Sequence, residues 1–270
     1  MINKLRLPAL ICILGLVFIG LGLHQQSETK AAQNYYVGAA SAGAGCDAYT
    51  MLLVHSDSTN GSQVFDDSSP YGRTMEPIND VQHSTAQQEM GATSILFDGA
   101  DDALKVPYST DWFPDPDGDM TYDFWVYPNA VVNGDKLISQ QNESSGPGLY
   151  IYILSGNAIG WSFPETGCGI GRRSGFSNDT ISTGSWYHIA LITRGDTDEF
   201  ELYIDGNEVS YGSREAYSNV EQCGGDGRFV IGSGPQNNND FDGYMDEVRV
   251  SKGVRRWLTN FTPDTTPYCQ

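Results

Sequence analysis

The sequence predicts an all-β fold, with two antiparallel sheets packed as a sandwich. Three observations carry this. Short runs rich in β-branched and aromatic residues recur from Tyr49 onward, separated by clusters of Gly, Pro, Asn, Asp and Ser. No window sustains a helical period, and SKGVRRW (Ser251–Trp257) alone suggests a helical turn. The 31 glycines, set against only 18% charged residues, suit many turns better than long amphipathic helices. With 39% hydrophobic and 11% aromatic residues the chain can bury a core.

The N-terminus stands apart. Lys4 and Arg6 precede Leu7–Leu23, a run without charge, and the polar HQQSETK follows, which is the order of an export signal. The run falls short of the roughly 20 residues that span a bilayer comfortably. Residues 1–32 therefore read as a signal peptide, with small residues Ala31 and Ala32 at the cleavage point, or as an uncleaved signal anchor. Both readings place the remainder outside the cytoplasm, secreted or at the cell surface. Residues 33–46, with NYYVGAASAGAG, read as an extended linker or arm, and residues 47–270 as one domain without an internal repeat.

Within that domain the strand-like runs are YTMLLVH, TSILF, ALKVP, MTYDFWVYP, KLISQ, LYIYIL, AIGWSF, SWYHIALIT, EFELYI, RFVIG and GYMDEVRV. In WYHIALIT, Trp186, His188, Ala190 and Ile192 share one face and Tyr187, Ile189 and Leu191 the other. Both faces are largely apolar, so this strand belongs in the middle of a layered structure. EFELYI alternates instead: Phe200, Leu202 and Ile204 point inward, leaving Glu199, Glu201 and Tyr203 for solvent. Asp205-Gly206 then makes a tight turn into NEVS. About a dozen strands must manage their edges, and a two-sheet sandwich does so.

The formal charge of -19 repels nucleic acid and anionic membranes, so no nucleic-acid partner is expected and no membrane contact beyond an N-terminal anchor. Four cysteines lie outside the apolar run, and in an exported chain an even count predicts two disulfides. Three pairings are open. The favoured one joins the domain's ends through Cys46–Cys269 and two Gly-rich loops, TGCGIGRR and EQCGGDGR, through Cys168–Cys223. Zinc would want a Cys-x-x-Cys pair, and none exists.

Six strings occur in order: MLLVHSDSTNGSQVFDDSS, SILFDGADDALKVP, YDFWVYP, GSWYHIALITR, LYIDGNEV and FDGYMDEVRVSKGVRRW. Spanning Met51 to Phe261, they resemble the laminin G-like jelly-roll domains of the concanavalin A-like lectin/glucanase superfamily. The resemblance implies two curved antiparallel sheets with a concave face and binding loops, in a secreted, cell-surface or phage-associated protein. Members of that superfamily include lectins, adhesion modules, glycosidases and structural modules, so the fold leaves function open. The resemblance also implies a structural Ca2+ held by an Asp of the last strand. Here that residue is Asp246, with Asp57, just after MLLVH, as its first-strand partner. The alternative is that Asp246 only accepts hydrogen bonds from backbone or from Arg249. Asp115-Pro-Asp117-Gly-Asp119 lacks the later Glu of an EF-hand and reads as a solvated loop.

Catalysis finds no support in the residues. Glycoside hydrolysis needs two carboxylates facing one bond, but Glu199-Phe200-Glu201 is too short for the glucanase arrangement and the adjacent Asp246 and Glu247 face opposite ways on a strand. There is no nucleophile elbow, and His188 reads as a core histidine. Arg194-Gly195-Asp196 could serve adhesion, but its residues are ordinary in a turn. Residues suited to a glycan are Trp161, Arg172, Arg173, Tyr217, and Asn238 and Asp240 of the Asn-rich loop. Sequons at Asn60, Asn142, Asn178 and Asn260 are N-glycosylation acceptors in a eukaryotic host only. The expected protein is a non-catalytic recognition or adhesion module, with a glycan as its leading partner and an extracellular protein as the other. The alternative is a self-associating subunit of an extracellular fibre or surface assembly that adds its arm as a strand to a neighbour. A glycoside hydrolase comes third.

Overall fold

The computed structural model describes residues 46–115, 118–140, 148–165, 172–216, 220 and 227–269. The export segment, nearly all of the arm, Asp117, Asn142, Cys168, Tyr217 and Cys223 lie outside the described residues, and so does any self-association through the arm.

The strands follow in chain order as β1 (Thr50–Val54), β2 (Glu76–Ile78), β3 (Gln82–Ser84), β4 (Ser94–Asp98), β5 (Ala103–Val106), β6 (Met120–Pro128), β7 (Lys136–Gln140) and β8 (Leu149–Ile153). Then come β9 (Ala158–Pro164), β10 (Arg172–Thr180), β11 (Tyr187–Arg194), β12 (Glu199–Ile204), β13 (Asn207–Glu208), β14 (Tyr211–Arg214), β15 (Phe229–Ile231) and β16 (Asp242–Lys252). They form two antiparallel sheets. The first runs β13-β12-β11-β6-β16-β4-β3, with β1 also on β16; the second runs β14-β10-β9-β8-β7-β15-β5-β2. Between them lies one continuous core, to which the first sheet contributes Tyr122, Phe124, Leu191 and Phe200 and the second Ile151, Trp161 and Phe163. Burial of these side chains is the main stabilising term, at ~1.5–3 kcal/mol for each fully buried large apolar side chain.

Strand β11 is apolar on both faces, as its pattern requires, but what covers its outer face is the chain's own C-terminal segment. Trp257 and Phe261, stacked 3.9 Å apart, lie over Ala190, Ile192 and Tyr203 in a second apolar cluster. This corrects the expectation that Glu201 and Tyr203 face water. Tyr203 is 1% exposed and Glu201 6%, because the strap 253–269 crosses that face. The expected helical turn at SKGVRRW is also absent. Ser251 and Lys252 end β16, and the following residues run on as bends. The helical turn that does form, at Thr110–Trp112, starts on Ser109, whose hydroxyl accepts from the Asp111 amide.

Cys46 and Cys269 are disulfide-bonded, closing a separation of 223 residues and fastening the strap's end to the start of β1. In the chain-entropy model, closing a loop of that length is worth ~5.4 kcal/mol. The turn at Asp205-Gly206 has both residues at positive φ, 50° and 72°, matching the two-residue hairpin read from the sequence. A Cβ on Gly206 would run into the carbonyl of Phe261, so the strap's approach demands glycine there. Among the described residues no helix is long and apolar enough to cross a membrane.

Candidate functional site: the outer face of the second sheet

Alternation along β8 sends Leu149, Ile151 and Ile153 into the core and leaves Tyr150 and Tyr152 on the outer face. On β9 the same rule buries Ile159, Trp161 and Phe163 and leaves Gly160 and Ser162 outside. Pairing then aligns a row across the strands: Lys136 opposite Tyr152, Tyr152 opposite Gly160, Gly160 opposite Phe176, and Phe176 opposite Ser213.

Two glycines shape this row. A Cβ on Gly160 would come within 3.0 Å of the Tyr152 ring, and one on Gly212 would overlap the ring of Phe176. Bare backbone therefore lets the aromatics lie across the sheet surface. Phe176 remains 37% exposed. Beside it runs a groove of about 490 Å³, with Tyr152 and Phe176 as its aromatic walls and Ser155, Asn178, Thr180 and Ser213 among its polar lining. Among the described residues no charged side chain lines it.

Cations border the groove at the Tyr152 end. The Lys136 ammonium sits 4.4 Å from the Tyr152 ring centroid and 5.3 Å from that of Tyr150, and donates to the Gly134 carbonyl at 2.8 Å. Burial lowers its pKa to about 8, with Asp135 opposing and the charge of Arg172 adding to the fall. The Arg172 guanidinium lies 5.6 Å from the Tyr150 ring. Burial raises both phenols, Tyr150 and Tyr152, with Arg172 opposing.

The sequence-derived glycan residues fare unevenly. Arg172 is exposed and on this face. Arg173 is engaged by Glu165 at 2.9 Å. Trp161 is a correction: it is 0% exposed, a core residue packed against Phe200 and Tyr211, so no ligand can stack on it. Asn238 is exposed, but Asp240 accepts from the Ser233 hydroxyl and the Asp101 amide, closing its own loop. That loop reaches the site through the Asn239 carbonyl, which accepts from the Lys136 amide at 2.8 Å. Sequence reasoning missed Lys136, Tyr150, Tyr152 and Phe176. The alternation in LYIYI held the signal for the two tyrosines.

The two carboxylates expected to hold calcium meet one turn from two sides. Asp246 is buried and accepts from the amides of Glu89 (3.1 Å), Met90 (3.0 Å) and Glu247 (2.9 Å), while Asp57 accepts from the Ala92 amide. Burial pushes Asp246 up to about 8, the amides opposing and the charge of Glu247 reinforcing. Among the described residues no three His, Cys, Asp or Glu side chains gather as metal ligands. Asp246 thus shows the backbone-acceptor geometry that was the alternative to calcium binding.

Elsewhere the polar residues hold structure. His188 is fully buried with Nε2 3.0 Å from the Tyr268 hydroxyl. Arg194 pairs with Glu201 at 2.8 Å and Asp196 with Arg255 at 3.3 Å, so the Arg-Gly-Asp side chains are spent within the fold. Asp115 pairs with Lys252 and Asp119 with Arg255. The carboxamides of Asn60 and Asn260 accept from the Thr85 and Glu208 amides, and Asn178 sits in the groove wall.

Residues 98–257, more than half the chain, match the Laminin_G_3 family, described as the concanavalin A-like lectin/glucanases superfamily. The chain belongs to that family. No curated protein matches it. Among solved structures it is similar to domain 4 of AbnA, a GH43 extracellular arabinanase from Geobacillus stearothermophilus, at 16% identity and a TM-score of 0.56, covering 76% of this chain and 92% of that one. It is similar to the botulinum neurotoxin serotype G binding domain at 18% identity and TM-score 0.53, covering 76% of this chain and 48% of that one. The binding domain of Paraclostridial Mosquitocidal Protein 1 aligns at 15% identity and TM-score 0.55, covering 77% and 49%. This laminin G-like chain thus spans about half the length of the two toxin domains. At such identities the likeness establishes the fold alone.

Proposed function

We propose that this laminin G-like domain is a secreted or cell-surface, non-catalytic carbohydrate-recognition module that binds along the outer face of its second sheet. The observation that carries the reading is the aromatic strip of Tyr152 and Phe176, seated on Gly160 and Gly212 and bordering a groove with serine, threonine and asparagine in its lining. A sugar ring presents an apolar face of C–H groups and a rim of hydroxyls, and such a groove offers a partner to each. At about 490 Å³ it lies in the size range of small-ligand sites. Among the described residues its lining holds no Asp or Glu, whereas glycoside hydrolysis depends on two carboxylates. The similar arabinanase domain is described in complex with arabinotriose, which supports saccharide binding on this fold.

The test is calorimetric titration of the exported chain with a panel of oligosaccharides, repeated for Tyr152→Ala and Phe176→Ala. Each variant is expected to lose at least ten-fold in affinity, ~1.4 kcal/mol, with little change in melting temperature. Undiminished binding by both variants would move the site elsewhere.

A further inference from the structure

The outer face of the second sheet differs from the rest of the molecule in its charge pairing. With 34 Asp and Glu against 15 Lys and Arg, a cation on this chain has carboxylates in abundance. Every other described lysine and arginine has a carboxylate oxygen within 4.0 Å. Lys105, Lys136 and Arg172 form no such pair among the described residues, and all three belong to the second sheet's outer face. Lys136 and Arg172 flank Tyr150, each within 6 Å of its ring centroid. Lys105 lies on β5, where Leu104 and Val106 turn to the core and leave it on the opposite side.

This arrangement works against the fold. Burial disfavours charge on Lys136; Asp135 offsets part of this from a distance without forming an ion pair, and Arg172 adds repulsion. Cations kept unpaired at a stability cost, beside a groove, mark a place where the counter-charge comes from a ligand.

We propose that this face binds an anionic saccharide, with the carboxylate or sulfate of one sugar held between Lys136 and Arg172 while adjoining sugars occupy the groove beside Tyr152 and Phe176. The proposal rests on the carbohydrate reading and adds the ligand's charge. Arg172 presents a planar fork that matches two oxygens of the acid group, and Lys136 a compact point charge. The tyrosine faces beneath hold both cations in place by cation–π attraction. The chain's net charge of -19 repels a densely charged polymer, so the face suits a glycan whose acid groups are isolated among neutral sugars.

The exported chain is titrated with four probes: a xylo-oligosaccharide carrying one glucuronic acid, a galacto-oligosaccharide carrying one sulfate, and the neutral parent of each. At least one acidic probe is expected to bind ten-fold or more tightly than its neutral parent, and which one does so names the acid as carboxylate or sulfate. Lys136→Gln and Arg172→Gln are each expected to cut the acidic-to-neutral affinity ratio several-fold, and Lys136→Arg to restore most of it. Equal affinity for acidic and neutral probes, unchanged in both variants, would overturn the proposal while leaving the carbohydrate reading intact. Binding of no saccharide at all would remove both.

Discussion

Lys136 shows how one residue's surroundings make its charge conditional. It sits against Tyr150 and Tyr152 of β8, beside Asp135 on its own strand's entry and within the field of Arg172 from β10. Its pKa falls from 10.5 to about 8, so between pH 8 and 10.5 the unfolded chain holds a proton that the folded chain has released. Through that window this group makes stability rise with pH, and below it the fold carries a constant penalty. Denaturant melts of the wild type and Lys136→Met across pH 7–11 are expected to show the difference in their slopes, with the variant lacking the rise. Parallel curves would mean that Lys136 titrates normally. The same residue shows what sequence can and cannot tell. Its lysine heads the run KLISQ, but only strand pairing across β7 and β8 sets it on the aromatic row, and pairing is not written in either run alone.

Among the elements, those with strong alternation or β-branched content were legible, and EFELYI, AIGWSF and MTYDFWVYP stand as strands where read. Strand β10, RRSGFSNDT, was not, because Ser, Gly, Asn and Asp make its composition that of a loop. Its register beside β9 comes from the sheet, and with it the position of Phe176. The C-terminal strap was equally hidden. Trp257, Phe261 and Tyr268 have no helical or strand period, and only the folded chain reveals that they cover β11 and β12. Beneath the strap lies a buried ion pair, Asp123 bonded by Arg249 at 3.0 and 2.9 Å, with Tyr268 3.8 Å from the guanidinium. Burial alone would raise Asp123, but Arg249 and His188 hold its carboxyl below the usual range. Asp123→Ala strands Arg249 without a counter-charge and is expected to cost ~3–5 kcal/mol. Urea unfolding measures it, and a loss under ~1 kcal/mol would show that Arg249 finds water or another partner.

At the scale of the molecule the two sheet faces have different fates. The first sheet's outer face is closed by the strap and the Cys46–Cys269 bond, with its charges paired among themselves. The second sheet's outer face keeps its aromatics, with Lys136 and Arg172 beside them in no ion pair among the described residues. Asp57 and Asp246 hold the 89–92 turn through its amides. Removing divalent cations with EDTA is therefore expected to leave the melting temperature unchanged. A fall of several degrees, reversed by calcium, would restore the ion that the family resemblance implied. The assignment of binding to the second sheet meets its most direct test in amide NMR of residues 33–270, titrated with an acidic oligosaccharide. The perturbed amides are predicted to fall in β8, β9 and β10, around Tyr150, Tyr152, Gly160, Arg172 and Phe176, with the strap unmoved. Shifts confined to the strap around Trp257 and Phe261, or to the small cavity between His55 and His83, would contradict it.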